Sequence, residues 1–201
     1  MPTAHDSPAA LDLSRLQQAL QVGDLVFIRI GRLPFRQIAD HTGSWTNHVG
    51  IVVPDRRGGL CVAESRVPWS GTTSLARFVA RSEHGRMAVA RLRRAPSPRE
   101  QRRIGAAARR RCGVLYDTGF DLASRRQFCS RFVREVLQEA TGQCVGEAQS
   151  LAQLLQCHPQ ASTRFWRCWY LGRIPWQRRT VTPASVLQSP LLTLVADGAV
   201  A

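Results

Sequence analysis

"HVGIVVPDRRGGLCVAES", residues 48–65, sets two apolar runs on either side of "PDRRGG" at 54–59. Pro, Asp and Gly favour a reversal there through a preset φ, side-chain bonding to nearby backbone and access to positive φ. The flanking runs are too short for helices and carry β-branched residues, so they predict an antiparallel hairpin. A hairpin brings the end of its second strand beside the start of its first. That makes His48 and Glu64 neighbours across the ladder. Taken singly, His48 reads as a polar strand end bonded to a loop, and Glu64 as a surface acid. Taken together, a carboxylate beside an imidazole fixes its tautomer and supports its cation, the orienting role in a catalytic triad. The pair still lacks a nucleophile.

"FCSRFVREVLQEATG", residues 128–142, offers one. Phe132, Val133, Val136, Leu137 and Ala140 make the apolar face of an amphipathic helix that ends at Gly142 in C-cap style. Cys129 stands at its start, behind the loop "GVLYDTGFDLASRRQ". A helix start supplies unpaired N–H groups and the positive end of a dipole, and both favour a thiolate. Cys61, in a strand, and Cys157, late in a helix, read as packing residues. Alone, Cys129 would also read as a small buried hydrophobe; beside His48 and Glu64 it is a candidate nucleophile.

Around these stretches the chain reads as strands and helices without internal repeat. Residues 10–21 predict a short helix, "VGDLVFIRI" a strand, 34–41 a helical turn or two, and "SLARFVARSE" a helix. "MAVARL" at 87–92 predicts a strand. Ser97 and Pro98 cap and open a helix over 98–111. A further helix is expected over 149–157, then extended segments around Pro175, Pro183 and Pro190. The division is an N-terminal helical extension, 1–21, followed by one domain, 22–201. At 201 residues the chain is long enough for a substantial core.

The formal net charge is +14, from 28 basic and 14 acidic residues, and every basic residue is arginine. G+C-rich coding accounts for the absence of lysine; a selected absence, escaping ubiquitination in a host cell, is the sharper alternative. The arginines crowd into residues 91–112, a solvated helix face or a contact for an anionic membrane surface. No RNA- or DNA-binding signature accompanies them, so no specific nucleic acid is expected. Six cysteines without a CxxC pair argue against structural zinc. "MPTAHDSPAALDLSRL" has no apolar signal region and no apolar stretch reaches membrane-spanning length. Reduced thiols and a cytoplasmic location are therefore expected, with export as an effector by a signal-independent route as the alternative.

In order, "GDLVF", "HVGIVV", "VAES", "GVLYDTGFD", "FCSRFV" and "TPASVLQSPLLTLV" resemble one family, the circularly permuted NlpC-like (papain-like) cysteine hydrolases of the YiiX-like and YebB-like group. The resemblance covers roughly residues 22–194. It implies an α+β fold with an antiparallel sheet packed against the cysteine-bearing helix, the histidine and acid preceding the nucleophile in the chain. It also implies Cys129 as nucleophile, His48 as general base, Glu64 as orienting acid and Tyr116 as a residue lining the pocket or hydrogen-bonding near the reacting centre. Two positions depart from the family pattern: Phe128, commonly tyrosine in relatives, and Arg131, where an acid is usual.

The expected chemistry is hydrolysis or acyl transfer at an amide or ester through a Cys129 acyl-enzyme, with no metal or organic cofactor. Non-permuted relatives cleave peptidoglycan peptides and permuted lecithin:retinol acyltransferases act on lipid esters. The substrate is therefore a small peptide-like or lipid-like acyl compound. The alternative class is a non-enzymatic basic module that binds anionic surfaces such as phospholipid. The oligomeric state has no signal in the sequence.

Overall fold

The structure, a computed structural model, describes residues 9–157 and 163–200. Residues 1–8 of the expected N-terminal extension lie outside them. In chain order the strands are β1 (Ala10–Leu11), β2 (Leu25–Ile28), β3 (His48–Pro54), β4 (Leu60–Glu64), β5 (Gly71–Thr73), β6 (Arg86–Leu92), β7 (Gln149–Ser150), β8 (Arg179–Thr180) and β9 (Leu192–Val200). The helices are α1 (Leu13–Ala19), α2 (Phe35–Thr42), α3 (Leu75–Val79), α4 (Pro98–Arg110), α5 (Cys129–Thr141), α6 (Leu151–Cys157), α7 (Arg164–Trp169) and α8 (Pro183–Leu187).

One sheet runs β1-β9-β6-β2-β3-β4-β5, antiparallel throughout except where β1 pairs parallel with β9. β7 and β8 form a separate two-stranded ribbon. The central strands read as unbroken apolar strings because both sheet faces are covered. Leu25 and Phe27 of β2 enter the core shared with α4 and α5, including Ile104, Phe132 and Val136. The alternate residues Val26 and Ile28 enter a second core with Leu16 and Leu20 around α1 and with Leu75 and Phe78 of α3. The fold is α+β, as the sequence predicts. No helix among the described residues is long and apolar enough to cross a membrane.

Local chemistry sets the boundaries. Asp12 accepts from the Ser14 and Arg15 N–H groups and starts α1 at Leu13, three residues later than the apolar spacing predicts. The two residues before this cap extend the sheet as β1. Ser97 and Glu100 complete a capping box at the start of α4. Gly142 closes α5 in the left-handed region, φ 73°. The C-terminal segment is more regular than its prolines suggest: α8 starts on Pro183, and β9 pairs along β6 from Leu192↔Leu92 to Ala199↔Arg86.

Candidate active site

The hairpin register joins Ile51 to Ala63, Val52 to Val62 and Val53 to Cys61. Each pair sums to 114, so the same register sets Glu64 opposite Gly50. His48 therefore reaches Glu64 on the diagonal, a distance long side chains span. Its Nε2 lies 2.6 Å from Glu64 Oε2, and both side chains are shut off from solvent. Gly50 gives this diagonal its room. A Cβ there would collide with Val62 Cγ1 and stand 2.9 Å from the Phe78 ring.

Glu64 has a second partner. Arg81, just past α3, donates from Nη2 to Oε1 at 2.8 Å and to Oε2 at 2.9 Å. Burial alone would raise the Glu64 pKa, but the hydrogen bonds and charges of His48 and Arg81 win and lower it. The carboxylate thus stays ionised within the protein. Neither periodicity nor spacing marks Arg81; in the sequence it is one more arginine in a helical stretch.

His48 opens β3, its ring between Phe35, edge-on at 6.2 Å, and Phe78 at 5.6 Å. With Nε2 committed to Glu64, Nδ1 is a buried nitrogen without a hydrogen-bond partner of good geometry. Its charge neighbour is the Cys129 thiol. Burial pushes the imidazole down, yet the charges and hydrogen bonds of Cys129 and Glu64 outweigh it and raise His48 to about 9. The thiol moves the other way. Burial opposes ionisation, but His48 and the N–H groups of Val49 and Ser130 lower the Cys129 pKa. Phe128, the N-cap of α5, makes no side-chain capping bond, so no cap competes for the first-turn N–H groups.

The loop before α5 is tied down. Gln127 donates its N–H to Leu115 O and accepts from the Asp117 N–H, while the Tyr116 N–H bonds to Pro68 O at 2.8 Å. This holds Tyr116 beside the site, its ring edge-on to Phe35 at 6.1 Å. Its hydroxyl is buried without a partner. Burial and the nearby Cys129 charge raise its pKa well above the usual phenol value, so it remains a donor. Arg131 bonds the carbonyls of Asp121, Ser124 and Arg126 and pairs with Glu135 at 2.6 Å, fastening the same loop. Phe128 is buried edge-on to Phe120. Both lie in an apolar cavity that opens beside Cys129, with Leu155, Trp166, Ile174 and Val181.

The structure thus brings Cys129, His48, Glu64 and Tyr116 to one place, from α5, β3, β4 and a loop. The chain matches, over residues 19–196, the family model described as "permuted papain-like amidase enzyme, YaeF/YiiX, C92 family". This chain belongs to the permuted papain-like amidase family. The uncharacterised protein YiiX of Escherichia coli strain K12 is 31% identical over 179 residues, 88% of this chain and 86% of that one. The crystal structure of a protein described as metalloprotein YiiX, from Escherichia coli O157:H7, superimposes with a TM-score of 0.78 at 31% identity. That match covers 88% of this chain and 97% of the other. In this member of the family the hairpin with His48 and Glu64 comes before the helix that begins at Cys129, the order the resemblance predicts. Phe35 and the cavity-lining Trp166 were hidden in the sequence as ordinary core aromatics.

Proposed function

We propose that the protein is a cysteine amidase or esterase with a Cys129–His48–Glu64 triad, acting on a substrate with an apolar acyl group. The observation that carries this reading is the buried series Arg81–Glu64–His48 ending at the ionisable Cys129 thiol. Four buried or half-buried polar groups in succession are costly unless used.

The Cys129 thiolate attacks the carbonyl carbon, a C–S bond forms, and the π pair moves to oxygen. The first N–H groups of α5 and the Tyr116 hydroxyl, a buried donor without a partner, are directed to that oxyanion. Its collapse breaks the bond to the amine or alcohol, which takes the His48 proton. A water molecule, giving a proton back to His48, then releases the acid from the thioester. Glu64 and Arg81 orient the ring throughout. The cavity supports a lipid-like over a peptide-like acyl group, because Phe120, Phe128, Leu155 and Trp166 offer it contact but no charge.

A YiiX structure is described as that of a metalloprotein. Among the described residues here no group of three or more His, Cys, Asp or Glu is placed to hold a metal ion. No step is routed through one.

The test is a screen of N-acyl amides and esters of increasing chain length, with muropeptides alongside. Turnover should rise with acyl length, Cys129→Ala should lose it, and mass spectrometry should find the acyl group on Cys129. Iodoacetamide near neutral pH should alkylate Cys129 in preference to the other cysteines. Full turnover by Cys129→Ala would sink the proposal.

A further inference from the structure

From Ala148 to Ala196 the chain contains no Asp or Glu, yet it holds Arg164, Arg167, Arg173, Arg178 and Arg179 and three of the five tryptophans. α7 and the turn after it present much of this to solvent. Trp169 is 37% exposed, Trp176 43% and Leu171 92%. Leu171 also has φ 50°, in the left-handed region where leucine is uncomfortable and Asn or Gly is favoured. Neither burial nor backbone preference accounts for a leucine at this tip.

The same segment has an inner side. Trp166 and Tyr170, four apart on α7 and its cap, stack at 5.9 Å and line the apolar cavity beside Cys129. The Trp169 indole N–H is bonded to Thr118 O at 2.9 Å, and its ring lies on Phe165. Arg178 is paired with Asp121 at 3.5 Å. Arg167 and Arg173 are exposed and have no acidic partner within ion-pair distance among the described residues.

We infer that α7 and the 170–176 turn dock the protein on an anionic phospholipid bilayer. Leu171, Trp169 and Trp176 enter the interfacial layer, and Arg167 and Arg173 contact headgroup phosphates. Tryptophan and arginine around an inserting leucine suit that layer, which is apolar on one side and charged and wet on the other. The docking places the cavity-lining Tyr170 and Ile174 next to the membrane. It relocates the membrane contact that composition suggests for residues 91–112. There Arg94 pairs with Glu100, and Arg110 and Arg111 pair with Glu139. No large apolar residue of that stretch is exposed.

The docking is independent of the chemistry at Cys129, so Cys129→Ala protein should bind as wild type does. The probe is co-sedimentation of the full chain with phosphatidylglycerol–phosphatidylcholine vesicles, against vesicles of phosphatidylcholine alone. Leu171→Asn, which also suits the left-handed backbone, should lower partitioning about tenfold, part of what burying a leucine contributes. Arg167→Gln with Arg173→Gln should lower it about 25-fold, from about fivefold per charge at an anionic surface. Replacing Arg99 and Arg102 of α4 with glutamine removes equal charge and should cost less than threefold if contact is at the tip. Tryptophan emission should shift to the blue on binding, and less so in Trp176→Phe. Equal binding to neutral vesicles, or tip variants that bind like the α4 control, would overturn the proposal. So would Leu171→Asn dissolving a dimer in sedimentation velocity, which would make the tip a contact between copies, or tip variants losing nucleic acid but keeping vesicles.

Discussion

His48 and Cys129 are displaced from their ordinary acidities in opposite directions, and this yields two separable pH signatures. In the proposed mechanism the reactive form, thiolate beside imidazolium, fills between the lowered pKa of Cys129 and the His48 value of about 9. Activity should rise through an acid limb and fall through an alkaline limb near pH 9, measured as kcat/KM against pH. Stability should behave differently. Taken singly, His48 contributes stability that is whole below its unfolded value of 6.5 and lost as pH rises through about 9. Cys129, with its pKa depressed, contributes stability that is whole above its unfolded value of 9.0 and lost as pH falls. Above both the lowered Cys129 pKa and 6.5, and up to about pH 9, one proton sits on nitrogen in the folded chain and on sulfur in the unfolded one. The counts match and the two contributions cancel. Unfolding free energy from this pair should be level over that range, which lies above the acid activity limb, where Cys129 titrates, and ends at about pH 9, where the alkaline limb begins. Glu64→Gln removes a charge that supports the imidazolium and should move that limb to lower pH. A limb unmoved in Glu64→Gln would show that Glu64 does not support His48.

The hairpin is the element that decides whether these residues meet, and its most constrained position is Gly50. Gly50→Ala would drive a methyl group into Val62 and the Phe78 ring, and overpacking of this kind costs about 1–3 kcal/mol. Urea unfolding should record that loss, and the activity of the remaining folded protein should fall as His48 and Glu64 separate. An unchanged unfolding midpoint would mean that β3 and β4 shift freely. The hairpin, α5 and their caps were legible because turn chemistry and helix periodicity are local. The meeting of Cys129 with His48 was legible only through family resemblance, since no spacing encodes a contact across 81 positions. Arg81 and the cavity aromatics stayed illegible. An arginine that clamps a buried carboxylate and one that meets water have the same letter, and Trp166 differs from Trp169 only in which side of a six-residue helix it occupies. The C-terminal strand was masked for another reason: β9 has exposed residues at 193–195 and lacks a clean alternation.

At the scale of the whole molecule, charge and order of synthesis have separate consequences. The charge of +14 is spread unevenly: Glu135 and Glu139 of α5 hold Arg110 and Arg111 at the end of α4, while residues 148–196 contain no acid. The sheet order, in contrast, concerns time. β9, the last described strand, lies between β6 and β1, and among the described residues β1 pairs only with β9. A ribosome therefore releases the neighbours of β9 well before β9 itself, and β6 must wait with one edge bare while the intervening chain is made. Ending the chain at Ser189 would make that wait permanent. It would uncover a seven-residue edge on β6 and leave β1 without a sheet, and unpaired edges recruit other chains. Such a truncation should go to the insoluble fraction on expression, and a soluble, monomeric product would show that β9 is dispensable. β9 thus works as a latch: the proposed active centre can be assembled from the earlier strands and α5, but the sheet is sealed only once Leu192–Val200 have been made.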